Sequence, residues 1–364
     1  MGQRQGALED VELKALAGKR VLVTGHTGFK GAWLSLWLAD LGAEVTGLAL
    51  AAETPSLFRA LKLDKLIRSR VVDVRDRAAV IKTVKDARPE LLFHLAAQPL
   101  VRRSYDDPEE TFSTNVMGLV NVLDAARDQR SLKAIQVITS DKCYENDDAG
   151  RAYAEGDKLG GHDPYSASKA CAEIVAASYR DSFFAAGASL ATARAGNVIG
   201  GGDWAKDRIV PDCARALSRG DAVVVRNPES VRPWQHVLEP LSGYLTLACR
   251  QLEQPRRFAQ AWNFGPRESG CVPVRELVES AVRHWGGGSW THVTSEAPSV
   301  REARVLRLDV TKARRELGWK PRWSVEDAVR ETVVWYKAAA TAGFDALTLC
   351  RAQIAAYEGA AARA

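Results

Sequence analysis

Val21-Leu22-Val23-Thr24-Gly25-His26-Thr27-Gly28-Phe29-Lys30-Gly31 reads as a buried strand that turns through glycine into a helix. The run Arg20–Thr24 supplies the strand, and glycines at 25, 28 and 31 give G-x-x-G-x-x-G at its end. The first glycine permits a tight turn, the second lets backbone approach a pyrophosphate, and the third allows close strand–helix packing. The helix N-terminus adds partial positive charge. A phosphate-loop reading fails, because Gly31 follows Lys30 where serine or threonine is needed. Gly25, Thr27, Gly28, Phe29, Lys30 and Gly31 are therefore the candidate dinucleotide-binding loop.

Outward from this turn, apolar strand-like runs alternate with segments of helical period. Strands are expected at Glu44–Leu50, Arg70–Val72, Leu91–Leu95, Ala134–Thr139 and Ser189–Ala195, and helices at Gly31–Leu41, Arg77–Ala87, Pro108–Arg127 and Pro164–Phe184. Such alternation predicts an α/β fold: a doubly wound parallel sheet of Rossmann type, covered on both faces. After about Asn197 the texture changes, with a loop-like Gly200-Gly201-Gly202-Asp203-Trp204 and more Arg, Pro and Trp. Short strands are expected at Val223–Arg226 and Ala261–Phe264, and helices at Val274–Trp285 and Val325–Ala339. The expected organisation is a dinucleotide-binding domain over 18–196 and a smaller α/β substrate-binding domain over 197–345, interleaved with the first. Residues 1–17 and the alanine-rich 346–364 are expected to be peripheral tails.

The 364-residue chain carries a net charge of +5, spread along its length, with 46% hydrophobic and 26% charged residues. No basic block with interleaved aromatics marks a nucleic-acid partner. No apolar run reaches the roughly 20 residues that cross a bilayer, and the first twenty residues lack a signal-peptide core. Six scattered cysteines form no C-x-x-C pair, so free thiols and a cytoplasmic location are expected, with no metal site.

The tip of the second strand, Leu48-Ala49-Leu50-Ala51-Ala52-Glu53, offers no early acid for a ribose, and no arginine follows it before Arg59. The absent arginine favours NAD over NADP. Asp73-Val74, after the third strand, either holds an adenine edge or caps the following helix. Farther on, Tyr165 and Lys169 stand four apart behind Pro164, which suits a helix start, so both face one side of that helix. A free phenol titrates near ~10. A neighbouring ammonium and the cationic nicotinamide ring would bring it within reach of a neutral-pH base.

With Tyr165-x-x-x-Lys169, the string Thr24–Gly31 resembles the extended short-chain dehydrogenase/reductase family of nucleotide-sugar enzymes. His94-Leu95-Ala96-Ala97, Ser113-Thr114-Asn115-Val116-x-Gly118 and Arg232-Pro233-Trp234-Gln235-His236-Val237 carry the same resemblance. Thr139-Ser140-Asp141-Lys142-Cys143-Tyr144, Ala195–Trp204 and Trp262–Pro266 are most similar to its CDP-sugar 4,6-dehydratases. The resemblance spans roughly residues 18–340. It implies that Ala96 and Ala97 line the cofactor crevice and that Ser140, Tyr165 and Lys169 form a hydride-transfer triad. Related dehydratases carry Asp-Glu where this chain has Asp141-Lys142. By position, Asp141 would protonate the hydroxyl leaving carbon 6 and Lys142 would act at carbon 5. A basic lysine must be neutral, and the adjacent carboxylate opposes that, so the division of roles stays open.

The two phosphates of a sugar nucleotide suit arginine. Arg232 is the leading candidate, followed by Asn197, Arg208, Arg226 and Arg304; at 304 the family often carries histidine. No residue reads the base. Competing readings are a 4-epimerase, which needs no acid–base pair at carbons 5 and 6, and a non-catalytic dinucleotide-binding protein. The family's habit of pairing through long helices implies a homo-oligomer, a dimer or tetramer.

Overall fold

The computed structural model describes residues 13–293 and 305–360. Its main elements are β1 (Arg20–Thr24), α1 (Phe29–Asp40), β2 (Glu44–Ala49), β3 (Arg68–Val71), α2 (Arg77–Ala87) and β4 (Leu91–His94). They continue with α3 (Gly118–Arg127), β5 (Ala134–Ile138), α4 (Pro164–Ser182), β6 (Ser189–Ala195), α5 (Ile209–Arg219) and α6 (Leu238–Glu253). The last are β7 (Ala261–Phe264), α7 (Val274–Trp285), α8 (Val325–Ala339) and α9 (Ala346–Gly359).

β1 is fully flanked: it pairs in parallel with β2 on one side and β4 on the other. The seven-stranded sheet runs β7-β6-β5-β4-β1-β2-β3 with every pairing parallel. A period-2 strand buried on both faces sends alternate side chains into two cores. Val21 and Val23 enter a core with Trp33 and Trp37 of α1, while Leu22 joins Val80, Val84, Leu119 and Val122 on the opposite face. Strand order reverses between β1 and β4, which places a ligand crevice at the carboxyl ends of those strands.

Residues 197–345 contribute to both parts of the molecule. β7 completes the main sheet beside β6, and Gln136 on β5 donates to the Tyr244 carbonyl of α6. The rest forms two-stranded pairings, Val223–Val225 with Trp290–His292 and Val231–Pro233 with Cys271–Pro273, packed among α5, α7 and α8.

Two expectations are corrected. The segment Pro108–Arg127 is helical but not one α-helix: a π turn at Ser113–Met117 separates Pro108–Phe112 from α3. The irregular turn lets the buried Asn115 leave the ladder; its amide accepts from Gln98 N and donates to Gln98 O and Ser168 Oγ. The C-terminal segment is not peripheral. α9 buries Cys350, Ile354 and Tyr357, Trp37 Nε1 donates to Glu358 at 2.8 Å, and Arg351 pairs with Asp40.

Candidate functional site

The glycine turn fits a dinucleotide diphosphate. A Cβ on Gly31 would lie 2.1 Å from Gly25 O, and one on Gly25 2.7 Å from Ala96 N, so β1, α1 and the β4 tip meet through bare backbone. Gly28 caps α1 without a side-chain bond, and no acid occupies the first turn, so the positive end of the helix is left for an anion. Thr27 Oγ1 donates to Leu50 O, tying the turn to the β2 tip, while Thr24 Oγ1 accepts from Ala96 N. Ala96 and Ala97 are half-buried.

His26 and Asp73 settle differently. The His26 ring is a packing piece under Gly47: it hydrogen-bonds Ser69 Oγ at 2.7 Å, and burial brings its pKa down to about 4. Asp73 binds the Arg75 guanidinium through both oxygens and accepts from Arg75 N, which holds its carboxyl below the usual range. The cap of α2 is Asp76, not Asp73, so the capping alternative is replaced by this local ion pair. Val74 packs against Gly118, and its carbonyl accepts from Asn121.

At the end of β5, Ser140 opens a 3₁₀ turn over Asp141–Cys143 and its Oγ accepts from Lys142 N at 3.2 Å. The same Oγ donates to Asp141 Oδ1 at 3.0 Å, and the Ser140 hydroxyl favours the ionised form of the Tyr165 phenol. Pro164 occupies the first turn of α4 and Asp163 caps it through Ser166 N, which orients Tyr165 and Lys169 inward together. Tyr165 N donates to Ser104 Oγ.

The charges are arranged around one carboxyl. Burial raises the pKa of Asp141, against the opposing pull of Lys142, Ser140, Arg232 and Lys30. Burial also pushes the Tyr165 phenol up to about 12, while the Ser140 hydroxyl and Arg208 favour its ionised form. The cation acting on the phenol is thus Arg208. Lys169, expected in that role, donates to Ile138 O at 3.3 Å and is brought down to about 8 by burial. Lys30 projects from the first turn of α1 toward Tyr244, with its Nζ 3.4 Å from the hydroxyl. Burial and the charges of Lys169 and Arg208 bring it down to about 7, opposed by Asp141.

The candidate phosphate ligands separate. Arg232 is buried and bonds Val231 O, with its charge felt at Asp141. Arg208 is held by Asp203 at 2.7 Å and faces Tyr165 and Lys30. Arg226 pairs with the exposed Asp207. Asn197 is half-buried at φ +32°, and its carbonyl accepts from Gln235 N. Arg304 lies outside the described residues.

Three supporting features escape sequence reading. Glu173, one turn beyond Lys169, pairs with Arg194 at 2.7 Å and accepts from Thr139 and Thr192. Arg194 reaches on to Tyr144, which donates to Asn263 of β7. This buried network clamps both ends of the Ser140–Lys142 turn. The third feature is Gly196, directly beneath the Asp141 carboxylate. A charged residue inside the buried run Ser189–Ala195 was the one readable signal.

Residues 22–332 match the model of the GDP-mannose 4,6 dehydratase family. The chain is 48% identical over 354 residues to the CDP-glucose 4,6-dehydratase of Salmonella typhimurium strain LT2, covering 95% of this chain and 98% of that protein. The fold is shared with the epimerase Mth375 of Methanothermobacter thermautotrophicus (TM-score 0.79, 22% identity, 92% of this chain and 96% of that one). A double-mutant dTDP-glucose 4,6-dehydratase from Streptomyces venezuelae, solved with NAD bound, aligns with TM-score 0.73 and 25% identity over 87% of this chain and 96% of that one.

Proposed function

The chain belongs to the GDP-mannose 4,6 dehydratase family, and from that premise we propose that it converts CDP-D-glucose to CDP-4-keto-6-deoxy-D-glucose with loss of water. It is a hydro-lyase of the extended short-chain dehydrogenase/reductase group, with NAD as a regenerated cofactor. The observation that carries the reading is the Ser140-Asp141-Lys142 turn, in which a buried carboxyl, raised above its ordinary pKa by burial, accepts from the Ser140 hydroxyl and stands beside a lysine.

Gly25, Thr27, Gly28, Phe29, Lys30 and Gly31, with Asp73, Val74, Ala96 and Ala97 along the crevice, would hold NAD, which when bound would supply a hydride acceptor for sugar carbon 4 and a hydride donor for carbon 6. Tyr165 removes the carbon 4 hydroxyl proton, with Ser140 orienting the phenol and Lys169 serving the nicotinamide ribose. Ketone formation acidifies carbon 5. Lys142 then takes the carbon 5 proton while Asp141 protonates the departing carbon 6 hydroxyl. Arg232 and Arg208, with Asn197, hold the diphosphate and sugar; Arg226 and Arg304 serve the nucleotide.

The reading includes a cytoplasmic homo-oligomer. All six cysteines are free thiols, which suits a reducing compartment. Tyr105, Phe112, Met117 and Ile174 are exposed on neighbouring helices, an apolar face suited to pairing.

Purified protein incubated with CDP-glucose tests the reading by product mass. Loss of one water without net NAD reduction is expected. Unchanged mass with inverted carbon 4 makes the protein an epimerase, and no conversion removes the catalytic reading.

A further inference from the structure

The turn that carries Asp141 and Lys142 is held at its two ends by different parts of the fold. At the near end, Thr139 N donates to Ala193 O and the Thr139 hydroxyl donates to Glu173 of α4. That end carries Ser140 and is tied to the helix bearing Tyr165 and Lys169. At the far end Tyr144 closes the turn. Its hydroxyl accepts from Arg194 of β6 at 2.7 Å and donates to Asn263 Oδ1 of β7 at 2.8 Å. Asp141 and Lys142 lie between these two attachments.

We infer that Tyr144 is a positioning residue for the elimination step: its hydroxyl fixes the far end of the turn and so sets where Asp141 and Lys142 stand against the sugar. This rests on the dehydratase reading, in which those two residues act at carbons 6 and 5. The hydride-transfer groups Ser140, Tyr165 and Lys169 are held from the near end and from α4, so they do not depend on the far attachment.

Both partners of the hydroxyl are themselves anchored. Arg194 is buried and paired with Glu173 at 2.7 Å. Asn263 is buried, and its amide nitrogen donates to Tyr153 O and Asp309 O. Burial pushes the Tyr144 phenol above its ordinary range, so it stays protonated and keeps its bond to Asn263. A hydroxyl bonded to an ion-paired guanidinium and a fully bonded amide is a well-defined point in a low-dielectric interior. The ring is held separately, stacked on Tyr153 with centroids 5.1 Å apart and with the Arg194 guanidinium 4.9 Å from its centre. A phenylalanine would therefore keep the ring contacts and lose only the two hydroxyl bonds. Between Tyr144 and Asp141 stands one tight turn, closed by Cys143 N on Ser140 O and by Gly160 N on Cys143 O. A shift at Tyr144 passes directly into it, and misplacing a reacting group by about 1 Å costs on the order of 10²-fold in rate.

Tyr144→Phe, read against Thr139→Val, tests the inference. In stopped-flow experiments with NAD-loaded protein and CDP-glucose, Tyr144→Phe is expected to keep carbon 4 oxidation within about twofold of wild type and to slow elimination by roughly tenfold to a hundredfold. NADH absorbance then rises and decays slowly. Thr139→Val frees the end that carries Ser140 and is expected to slow both steps, while Thr139→Ser restores them. Hydrogen exchange in the ligand-free proteins reads the same geometry without the chemistry. The amides of residues 141–144 should exchange roughly tenfold faster in Tyr144→Phe, with those of α4 unchanged. Equal slowing of oxidation and elimination in Tyr144→Phe, elimination at the wild-type rate, or wild-type exchange at 141–144 each overturns the inference. Absence of dehydrated product from wild-type protein, with exchange at 141–144 still faster in the variant, overturns the functional reading instead and leaves the fixed turn standing.

Discussion

The carboxylate of Asp141 rests directly on the α-carbon of Gly196: a Cβ at position 196 would lie 1.9 Å from Oδ2 and 2.4 Å from Cγ. Gly196 ends the chain path from β6, so the last turn of the sheet shapes the seat of the proposed acid. No backbone strain demands this glycine. Gly196→Ala is expected to drive Asp141 out of line with Ser140 and to lower kcat by roughly 10²–10³-fold. Dinucleotide affinity, followed by calorimetry, stays near the wild-type value because the glycine turn is untouched. Near-wild-type kcat in a folded Gly196→Ala protein would remove Asp141 from the chemistry.

Lys142 carries the step that residue type explains least, since an ammonium cannot take a proton. Lys142→Ala is expected to leave carbon 4 oxidation intact and slow elimination by roughly 100-fold. The nicotinamide then stays reduced between the two hydride transfers. Stopped-flow absorbance should show NADH rising and decaying slowly. Elimination at the wild-type rate would show that another group takes the carbon 5 proton.

The cofactor turn and the Tyr165–Lys169 pair were legible because their meaning is local: a strand, three glycines and a helix, and two side chains one helical turn apart. Alternating runs likewise gave β1, β4, β5 and β6, because strands buried on both faces read as continuous apolar segments; the exposed edge strand β3, Arg-Ser-Arg-Val, does not read that way, and its expected start at Arg70 falls two residues late. Gly196 under Asp141, Glu173 against Arg194 and Lys30 facing Asp141 were not legible. Each joins residues from different elements, and spacing along the chain does not encode which tips converge. α9 was misread through composition: alanines suggested a surface helix, yet Cys350, Ile354 and Tyr357 at i, i+4 and i+7 form an apolar stripe that meets Trp37.

Lys30 gives the cofactor site a pH dependence. Burial with Lys169 and Arg208 holds its pKa at about 7 in the ligand-free protein. An anionic diphosphate at the α1 N-terminus favours the charged ammonium. Below pH 7 that charge is already present; above it, binding must draw a proton from solution. NAD affinity is therefore expected to fall as pH rises from 7 to about 8.5. Calorimetry in buffers of different ionisation enthalpy should register proton uptake at the upper end. Lys30→Met should bind more weakly at pH 6 and lose the slope; an identical slope in both proteins would assign it to another group.

Glu239 supplies a stability test remote from the chemistry. Its carboxylate accepts from Arg322 N, Trp323 N and Tyr357 OH, so it joins α6 to the chain before α8 and to α9. Burial outweighs these bonds and raises its pKa from 4.5 to about 7. A raised folded-state value means that the folded protein holds this proton over a range where the unfolded chain has released it. The resulting stability is complete below 4.5 and is lost as pH rises toward 7, beyond which the penalty is constant. A shift of this size is worth on the order of 3 kcal/mol. In Glu239→Gln the side chain still accepts from the backbone amides, and its amide can donate to the Tyr357 hydroxyl. The variant should therefore be less stable than wild type near pH 4.5, where the neutral acid is cheaply buried, and gain on it steadily up to about pH 7. Urea unfolding across that range reads the difference directly, and a difference that does not change with pH would mean Glu239 keeps its charge when folded.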